Sequence, residues 1–333
     1  MTRVAIITGA TGQDGSYLSE LLLEKGYNVF CMIRRSTYPI QSSNLTALTL
    51  ENKHLRLFDA DITDQSSVMR VFNEARDYDV IEVYNLAAQS HVAISFDCPV
   101  LTVESNLIGT LNLLEAIRQC GLIKKVKFYQ ASTSEMFGKV QEVPQNEKTP
   151  FYPRSPYGVS KVASHWMVIN YRESYGLFAC CGILFNHESP RRGMNFVTQK
   201  VVKALSGPTP HLEIGNLDAR RDWGHAKDYV KAMWLMLQQD EPDDFVVSSG
   251  EQHSVREFIE KVCKLNDLRI TWSGEGLNEV GADQYDRIIV TVSEKFYRPC
   301  EVDTLLGDCS KIKSIGWEPE YSFDDLVKNM CGK

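Results

Sequence analysis

A glycine-rich turn near the N-terminus places the strongest constraint on the fold of this chain. An apolar run from Val4 to Ile7 suits a buried parallel strand. Three glycines follow it, Gly9, Gly12 and Gly15, and the next apolar residues have helical spacing. A second apolar run, Tyr27 to Ile33, completes a strand–turn–helix–strand unit. The start of such a helix offers free N–H groups and a positive dipole end to a pyrophosphate. The alternative is an ordinary tight turn, since glycine spacing alone is weak evidence.

The alternation of strand and helix continues through the first half of the chain. Further strands are predicted at 55–58, 80–86, 126–131, 177–184 and 244–248, and helices at 64–76, 100–120 and 225–238. This order predicts an α/β fold, a Rossmann-type doubly wound parallel sheet with a smaller, mixed C-terminal substrate-binding lobe. We expect residues 1–185, with 222–262 returning to them, to form the dinucleotide-binding domain. Residues 186–221 and 263–333 are then expected to form the lobe.

The end of the second predicted strand bears on the choice of cofactor. Folds that prefer NAD place an Asp or Glu there to bind the ribose hydroxyls, whereas an Arg accommodates a 2′-phosphate. This chain has Arg34 and Arg35 and no acid at that point. We therefore predict NADP, the alternative being that the two arginines begin a solvated basic loop. After the third strand, Asp61 is expected near the adenine or as a cap of the next helix.

Four polar side chains are candidates for the chemistry. Thr133 and Glu135 follow a predicted strand and alternate on one face, while Tyr157 and Lys161 are one helical turn apart. A neighbouring ammonium favours the phenolate form of a tyrosine, so Tyr157 beside a nicotinamide is a credible base toward an alcohol. Glu135 adds an acid/base group that simple alcohol oxidation does not need. A surface pair of Tyr157 and Lys161 is the alternative. His91 is either catalytic or a hydrogen-bonded structural residue.

Composition narrows the class of protein. The net charge of -7 argues against a nucleic-acid surface or an anionic membrane as partner. The nine cysteines include no C-x-x-C pair, and the seven histidines lack metal-site spacing, so reduced thiols and no metal are expected. We find neither the apolar core of a signal peptide nor an apolar run of membrane-spanning length. These observations predict a soluble, cytoplasmic protein.

Several longer blocks carry a family resemblance that covers nearly the whole chain. They are Thr8 to Leu18, Asn85 to Val92, Gln130 to Gly138, Pro150 to Tyr157, Asn186 to Gly193 and Arg221 to Val230. Together they resemble the extended short-chain dehydrogenase/reductase superfamily and, within it, the nucleotide-sugar dehydratases that act on GDP-mannose. The resemblance implies a redox-neutral reaction in which bound NADP accepts and returns a hydride while water is eliminated across carbons 5 and 6, giving a 4-keto-6-deoxy sugar.

The resemblance also implies roles for individual residues. Tyr157 takes the proton of the 4-hydroxyl, Thr133 polarises the 4-oxygen, and Lys161 holds the nicotinamide ribose and biases Tyr157. Glu135 removes the proton on carbon 5. The residues expected at the cofactor are Gly9, Thr11, Gly12, Gln13, Asp14, Gly15, Arg34, Arg35, Asp61, Ile62, Leu86, Ala88, Ser90, Tyr157, Lys161, His187 and Arg192. Those expected at the nucleotide sugar are Ser90, Ser134, Asn186, Lys200, Arg221, Arg298 and Glu301.

Departures from the family pattern leave alternatives open. Gln199, Ser164, His165 and Met194 differ from the residues that are common in relatives, and the loop after Arg35 looks shorter. We expect a homodimer through helices near 100–120 and 156–174, with a homotetramer as the alternative. The competing functions are a nucleotide-sugar epimerase, a 4-keto-sugar reductase and a non-catalytic NADP-binding protein. A secondary NADPH-dependent reduction of the keto product is also a hypothesis.

Overall fold

The computed structural model describes residues 2–35, 39–297, 300, 302 and 304–333. Its strands are β1 (Arg3–Thr8), β2 (Asn28–Ile33), β3 (Leu55–Asp59), β4 (Val80–Asn85), β5 (Val126–Thr133), β6 (Phe178–Leu184), β7 (Asn186–Glu188), β8 (Leu212–Ile214), β9 (Arg220–Arg221), β10 (Trp223–His225), β11 (Asp244–Val247), β12 (His253–Ser254), β13 (Thr271–Ser273), β14 (Val280–Ala282) and β15 (Ile288–Val292). Its α-helices are α1 (Gln13–Glu24), α2 (Ala47–Leu50), α3 (Gln65–Ala75), α4 (Val92–Asp97), α5 (Pro99–Val103), α6 (Gly109–Gln119), α7 (Pro156–Tyr175), α8 (Val197–Leu205), α9 (Ala226–Leu237), α10 (Val255–Leu265), α11 (Ser310–Ser314) and α12 (Phe323–Met330).

A seven-stranded parallel sheet forms the centre of the larger part. Its order is β11-β6-β5-β4-β1-β2-β3, and every neighbouring pair is parallel. The strand order reverses on either side of β1, which is the point where ligands bind in open α/β sheets. A smaller sheet, β13-β14-β15-β8, contains both antiparallel and parallel pairs. The prediction of a Rossmann-type sheet with a smaller mixed lobe is confirmed.

Helices cover both faces of the large sheet because its strands are apolar on both sides. On one face α1 and α9 pack together over β1, β2 and β6. On the other face α3, α6 and α7 cover β4 and β5. A third core, in the lobe, joins α8, α10 and α12 to the small sheet. The carboxyl ends of the parallel strands face the opening between these parts.

Two segments of the chain pack in a different part of the molecule from the one that the sequence predicted. Helix α10, expected with the large sheet, buries Phe258 and Ile259 in the core of the lobe. Ile312 and Trp317, expected in the lobe, pack beneath the large sheet beside α9. Periodicity shows which face of a helix is apolar but not which layer receives it. The assignment of the other segments stays a prediction.

The long helix predicted at 100–120 is built from three consecutive pieces. A π-helical turn at Glu104–Ile108 joins α5 to α6. By length and composition alone, Pro99–Gln119 could span a membrane, although the sequence pattern predicted no such segment. Its buried face packs against α3 and α7 in the core beneath the sheet.

Candidate active site

A cleft of about 1130 Å³ lies at the carboxyl edge of the large sheet, between that sheet and the lobe. The volume exceeds that of most pockets for one small molecule, so it suits two extended ligands side by side. All four predicted catalytic residues line it, as do all predicted cofactor residues except Arg35. Ser90, Ser134, Asn186, Lys200 and Arg221 also line it. Arg298 and Glu301 lie outside the described residues.

The glycine turn between β1 and α1 forms one wall of the cleft. Gly9 has a φ of +66°, and a Cβ there would lie 3.0 Å from the backbone of Ala87. A Cβ on Gly15 would lie 2.4 Å from the Gly9 carbonyl oxygen, so the turn packs onto itself as only glycine allows. Gly12 caps α1 without a side-chain acceptor. The first amide groups of the helix are therefore available to an anion, which fits a dinucleotide pyrophosphate.

A polar network holds the end of β4 against this turn. The Thr8 hydroxyl donates to Asn85 Oδ1 at 2.9 Å and accepts the amide protons of Leu86 and Ala87. Asn85 Nδ2 donates to Gln130 Oε1 at 2.8 Å on the next strand. Three adjacent strands are thus tied at their carboxyl ends, which fixes the loop that carries Ala88 and Ser90.

His91 joins that loop to the opposite wall of the cleft. Its Nδ1 accepts the Ile94 amide proton at 3.3 Å, so Nε2 carries the ring proton and donates to the Asn195 carbonyl at 3.1 Å. The ring also meets Phe196 edge-on. These contacts support the structural interpretation of His91.

The four catalytic candidates come together where β5 meets α7. The Thr133 hydroxyl accepts the Glu135 amide proton at 3.2 Å and is near enough to the buried Tyr157 phenol to affect its pKa. Ser155 accepts the Gly158 amide proton and Pro156 opens α7, so the helix begins just before Tyr157. Lys161 Nζ donates to the Ala131 carbonyl at 2.9 Å. A phenol, an ammonium, a hydroxyl and a carboxylate therefore share one side of the cleft.

Burial is the largest influence on the pKa values of Tyr157 and Lys161. It raises the pKa of the Tyr157 phenol to about 12, and the nearby Thr133 hydroxyl opposes that rise. It lowers the pKa of the Lys161 ammonium to about 8. Without a bound ligand the phenol is thus neutral at pH 7, and the ammonium is held against the free-energy cost of burial.

We expect Lys161→Met to increase the free energy of unfolding at neutral pH. The ammonium pKa is lower in the folded chain than its ordinary value of 10.5, so folding disfavours the charged form. The gain is about 3 kcal/mol at pH 7 and disappears as the pH rises from about 8 to about 10.5, where both states become neutral. Urea unfolding across this pH range measures it. The exposed Lys53→Met is the control, and equal curves for both variants would contradict the prediction.

Basic residues along the cleft differ in their contacts. Arg34 lines the cleft, whereas Arg35 is exposed and pairs with Asp59 at 3.5 Å. Arg192 lies 3.0 Å from Glu188 and stacks on the Phe196 ring. The adjacent Arg191 points away from the cleft and pairs with Glu20 on α1. Arg191 therefore anchors the segment from which Arg192 reaches the cleft.

The lobe side of the cleft carries the residues predicted for the nucleotide sugar. Lys200 Nζ donates to the Glu213 carbonyl and lies 3.4 Å from the centre of the Phe296 ring. Arg221 is buried and donates to the Arg220 carbonyl at 2.9 Å. Asn186 Oδ1 is buried without a hydrogen-bond partner among the described residues. A buried acceptor with no protein donor is a natural contact for a ligand.

Some residues that line the cleft are not among the site residues predicted from the sequence. Asn195, Trp223, Lys295 and Phe296 line it, and Lys295 pairs with Glu213 at 2.5 Å. Lys295 lies in a short segment whose pattern indicates nothing about a ligand, whereas Trp223 lies inside the block Arg221 to Val230 that carries the family resemblance. Asn195 and Phe196 follow the block ending at Gly193 after one residue, Met194, so their position was a second available signal.

The departures on α7 have defined contacts. The Ser164 hydroxyl donates to the Asn106 carbonyl in the π-helical turn at 2.8 Å. His165 hydrogen-bonds the Ser132 hydroxyl at 3.0 Å. Both contacts tie α7 to its neighbours directly behind Tyr157 and Lys161.

The chain is similar in sequence to known dehydratases. The family described as GDP-mannose 4,6 dehydratase matches residues 6–330. The GDP-mannose 4,6 dehydratase of Cricetulus griseus is 54% identical over 98% of this chain and 90% of its own length. The human protein of the same name is 53% identical over the same shares. In structure, the Thermus thermophilus UDP-glucose 4-epimerase in complex with NAD is similar with a TM-score of 0.80 and 26% identity, covering 99% of this chain and 98% of that one.

Proposed function

Because the chain belongs to the GDP-mannose 4,6-dehydratase family, we propose that it converts GDP-mannose to GDP-4-keto-6-deoxymannose with bound NADP. The observation that carries this proposal is Glu135 in the same cleft as Tyr157, Thr133 and Lys161. Oxidation of an alcohol needs only Tyr157, Thr133 and Lys161. A carboxylate beside them supplies the second base that elimination of water requires.

Tyr157 and Thr133 act on the 4-hydroxyl of the sugar. An oxidised nicotinamide held by Lys161 and the other cofactor residues of the cleft would supply the acceptor for the hydride of carbon 4 and, once reduced, the hydride that carbon 6 requires. Tyr157 removes the 4-hydroxyl proton, and the positive charge of Lys161 stabilises the phenolate that makes this possible. Thr133 donates to the 4-oxygen and holds it in line with Tyr157.

Glu135 acts on carbons 5 and 6. The 4-ketone acidifies the hydrogen on carbon 5, and the Glu135 carboxylate removes it. The same carboxyl group then protonates the departing 6-hydroxyl, so water leaves and the proton count balances. Carbon 5 then takes up one proton from water, and Tyr157 releases to water the proton that it took from the 4-hydroxyl, so the product is complete and both residues return to their starting states. Glu135 thus moves protons while Tyr157 controls the oxidation state of carbon 4.

The choice of NADP rests on Arg34 and Arg192, the two predicted arginines that line the cleft at the cofactor side. Arg34 and Arg35 directly follow β2, where folds that prefer NAD place the acid that binds the ribose hydroxyls. Arg34 is on the cleft wall, and an arginine binds a phosphate through charge-assisted pairs of hydrogen bonds. Ala88 and Ile62 line the same wall and give the adenine end an apolar surface.

Arg34→Ala is expected to lower the preference for NADP over NAD by about ten- to a hundredfold, the value of a charge-assisted hydrogen bond. Separate titrations with each cofactor measure the ratio of dissociation constants. Arg35→Ala is the matched control and should change the ratio less, since Arg35 is turned to solvent and to Asp59. An unchanged ratio in both variants would argue against NADP specificity from this segment.

Gly158→Ala is expected to reduce kcat by about ten- to a hundredfold while the protein remains folded. A Cβ there would lie 2.9 Å from the Glu135 carbonyl oxygen and 3.1 Å from Pro153. The added methyl group would therefore shift Glu135 relative to Tyr157. Gly207→Ala is the control, because its Cβ would meet nothing closer than 3.9 Å. Equal steady-state rates in the two variants would contradict the expected displacement.

We propose further that the protein is a cytoplasmic homodimer. Support comes from apolar side chains exposed on adjoining helices: Val100 on α5, Ile108 before α6, and Val159 and Trp166 on α7. A face of this kind on a single chain is typical of a subunit interface. A second copy of the same face would cover it.

Mass spectrometry of the nucleotide sugar tests the proposed function. Incubation of GDP-mannose with the protein and NADP is expected to give a product lighter by one water, with no net change in NADPH. An epimerase would leave the mass unchanged. A product of reduction, with NADPH consumed, would replace the redox-neutral reaction by a reductase.

A further inference from the structure

A buried acid–histidine pair joins the glycine turn to β7. His187 Nε2 lies 2.8 Å from Asp14 Oδ2, and His187 Nδ1 lies 2.8 Å from the Phe185 carbonyl oxygen. Gln13 strengthens the same junction by donating to the His187 carbonyl at 3.0 Å. The pair connects positions 173 residues apart, in the wall where the cofactor pyrophosphate is expected.

The geometry fixes the number of protons in the pair. A carbonyl oxygen can only accept, so His187 Nδ1 carries a proton and donates it to Phe185. At 2.8 Å, Nε2 and Asp14 Oδ2 also need a proton between them, because two lone pairs would repel. The imidazole and the carboxylate therefore hold two protons together, one more than a neutral imidazole beside a carboxylate would hold.

The surrounding groups favour the proton between Nε2 and Asp14 on the imidazole rather than on the carboxylate. Asp14 accepts a second hydrogen bond from Gln13 at 3.1 Å and lies in the first turn of α1, where a negative charge is favoured. The His187 ring stacks on the Tyr229 ring with centres 4.4 Å apart, which favours a cation. Burial opposes both charges, yet the pKa of His187 is raised and that of Asp14 is lowered by their mutual attraction.

Other charged and titratable groups supply less of this balance than His187 does. Burial raises the pKa values of Tyr129 on β5 and Tyr229 on α9 well above their ordinary value, so both phenols are neutral. Arg192 pairs with Glu188, and its charge lowers the pKa of Asp14 less than His187 does. Burial lowers the pKa of His225 at the start of α9. On the α7 side, Tyr157 is neutral, and the Asp14 charge raises its pKa further.

We propose that His187 is a positioning residue, charged at neutral pH, that keeps the cofactor turn electrically neutral by pairing with Asp14. An uncompensated Asp14 carboxylate would repel the pyrophosphate and oppose formation of the Tyr157 phenolate. The imidazolium cancels that charge while its two hydrogen bonds hold β7 against the turn. This inference rests on the proposed cofactor but not on the proposed reaction.

Nuclear magnetic resonance of the protein alone tests the protonation. With ¹⁵N-labelled histidine, both ring nitrogens of His187 are expected to carry protons at about pH 7, above the usual histidine pKa of about 6.5. The spectrum of His187→Gln identifies the signals. An unprotonated Nε2 at that pH would overturn the proposal, whatever the enzyme proves to catalyse.

A charge-rescue experiment tests the function of the pair. His187→Gln leaves Asp14 as an uncompensated anion, whereas the double variant with Asp14→Asn lacks the same imidazole but carries no charge there. We expect the double variant to bind NADP⁺ about tenfold more tightly than His187→Gln, as a nearby like charge would predict. Calorimetric titration without sugar measures this, so failure of the dehydration assay is a separate result. Equal or weaker binding by the double variant would overturn the proposal, since a residue that only packs or only contacts the cofactor gives no rescue.

Discussion

Tyr157→Phe is expected to lower kcat by about ten-thousandfold, the upper end of what a positioned acid/base group contributes. Phenylalanine fills the same buried space, so the cleft keeps its shape while the proton acceptor of the 4-hydroxyl disappears. Because oxidation at carbon 4 is the first step, neither the ketone nor the dehydrated product should form. Rapid-quench analysis of the sugar under single-turnover conditions measures both.

A second tyrosine on the same helix provides the control. The Tyr171 hydroxyl donates to Glu115 on α6, away from the cleft. Tyr171→Phe should therefore lower the free energy of unfolding by about 1.5–3 kcal/mol, as expected for a hydrogen bond to a charged group, and leave kcat nearly unchanged. If Tyr171→Phe lowered kcat as strongly as Tyr157→Phe, the effect would belong to the helix and not to the phenol.

Glu135→Gln is expected to lower the overall rate by about a thousandfold and to stop the reaction at a different stage. Tyr157 and Thr133 remain intact, so oxidation at carbon 4 continues. Removal of the carbon 5 proton does not, since an amide is not a base at neutral pH. Reduced cofactor should then accumulate without loss of water, and sugar recovered from D₂O should carry no deuterium at carbon 5.

The step at which the Glu135→Gln reaction stops distinguishes a role at carbon 5 from a general loss of rate. Glu142→Gln, in the loop that follows, changes an exposed acid of the same kind and should retain full turnover. Full turnover of Glu135→Gln, or deuterium at carbon 5 in its recovered sugar, would remove Glu135 from the mechanism. A loss of rate without reduced cofactor would instead indicate that Glu135 assists the first step.

Local sequence patterns were enough to predict the large sheet and much of the candidate site. The apolar runs of β1 and β4 end where the polar cleft begins, and parallel strands bring their carboxyl ends together. That rule alone gathers Gly9, Ala88 and Thr133 at one edge. The spacing of Tyr157 and Lys161 likewise predicts a shared helical face.

Contacts between distant segments could not be read from the sequence. Nothing local indicates that Asp14 meets His187, or that Arg191 and Arg192 point to different partners. The destination of α10 was also missed, because its apolar face fits either of two layers. These contacts depend on how the sheets and helices pack against one another. Residue spacing within one segment does not specify that packing.

The position of β11 has a consequence for how the chain can be divided. This strand pairs with β6 only after the chain has left the sheet and built part of the lobe, and α9 covers α1 at the same late point. A fragment ending at residue 185 would therefore expose β6 as an unprotected edge and uncover the apolar side of α1, a combination that promotes aggregation. On the ribosome, the sheet cannot be completed until residues 226–247 have emerged. The larger part is thus built from segments that lie on both sides of a segment of the lobe, so no single cut separates the two.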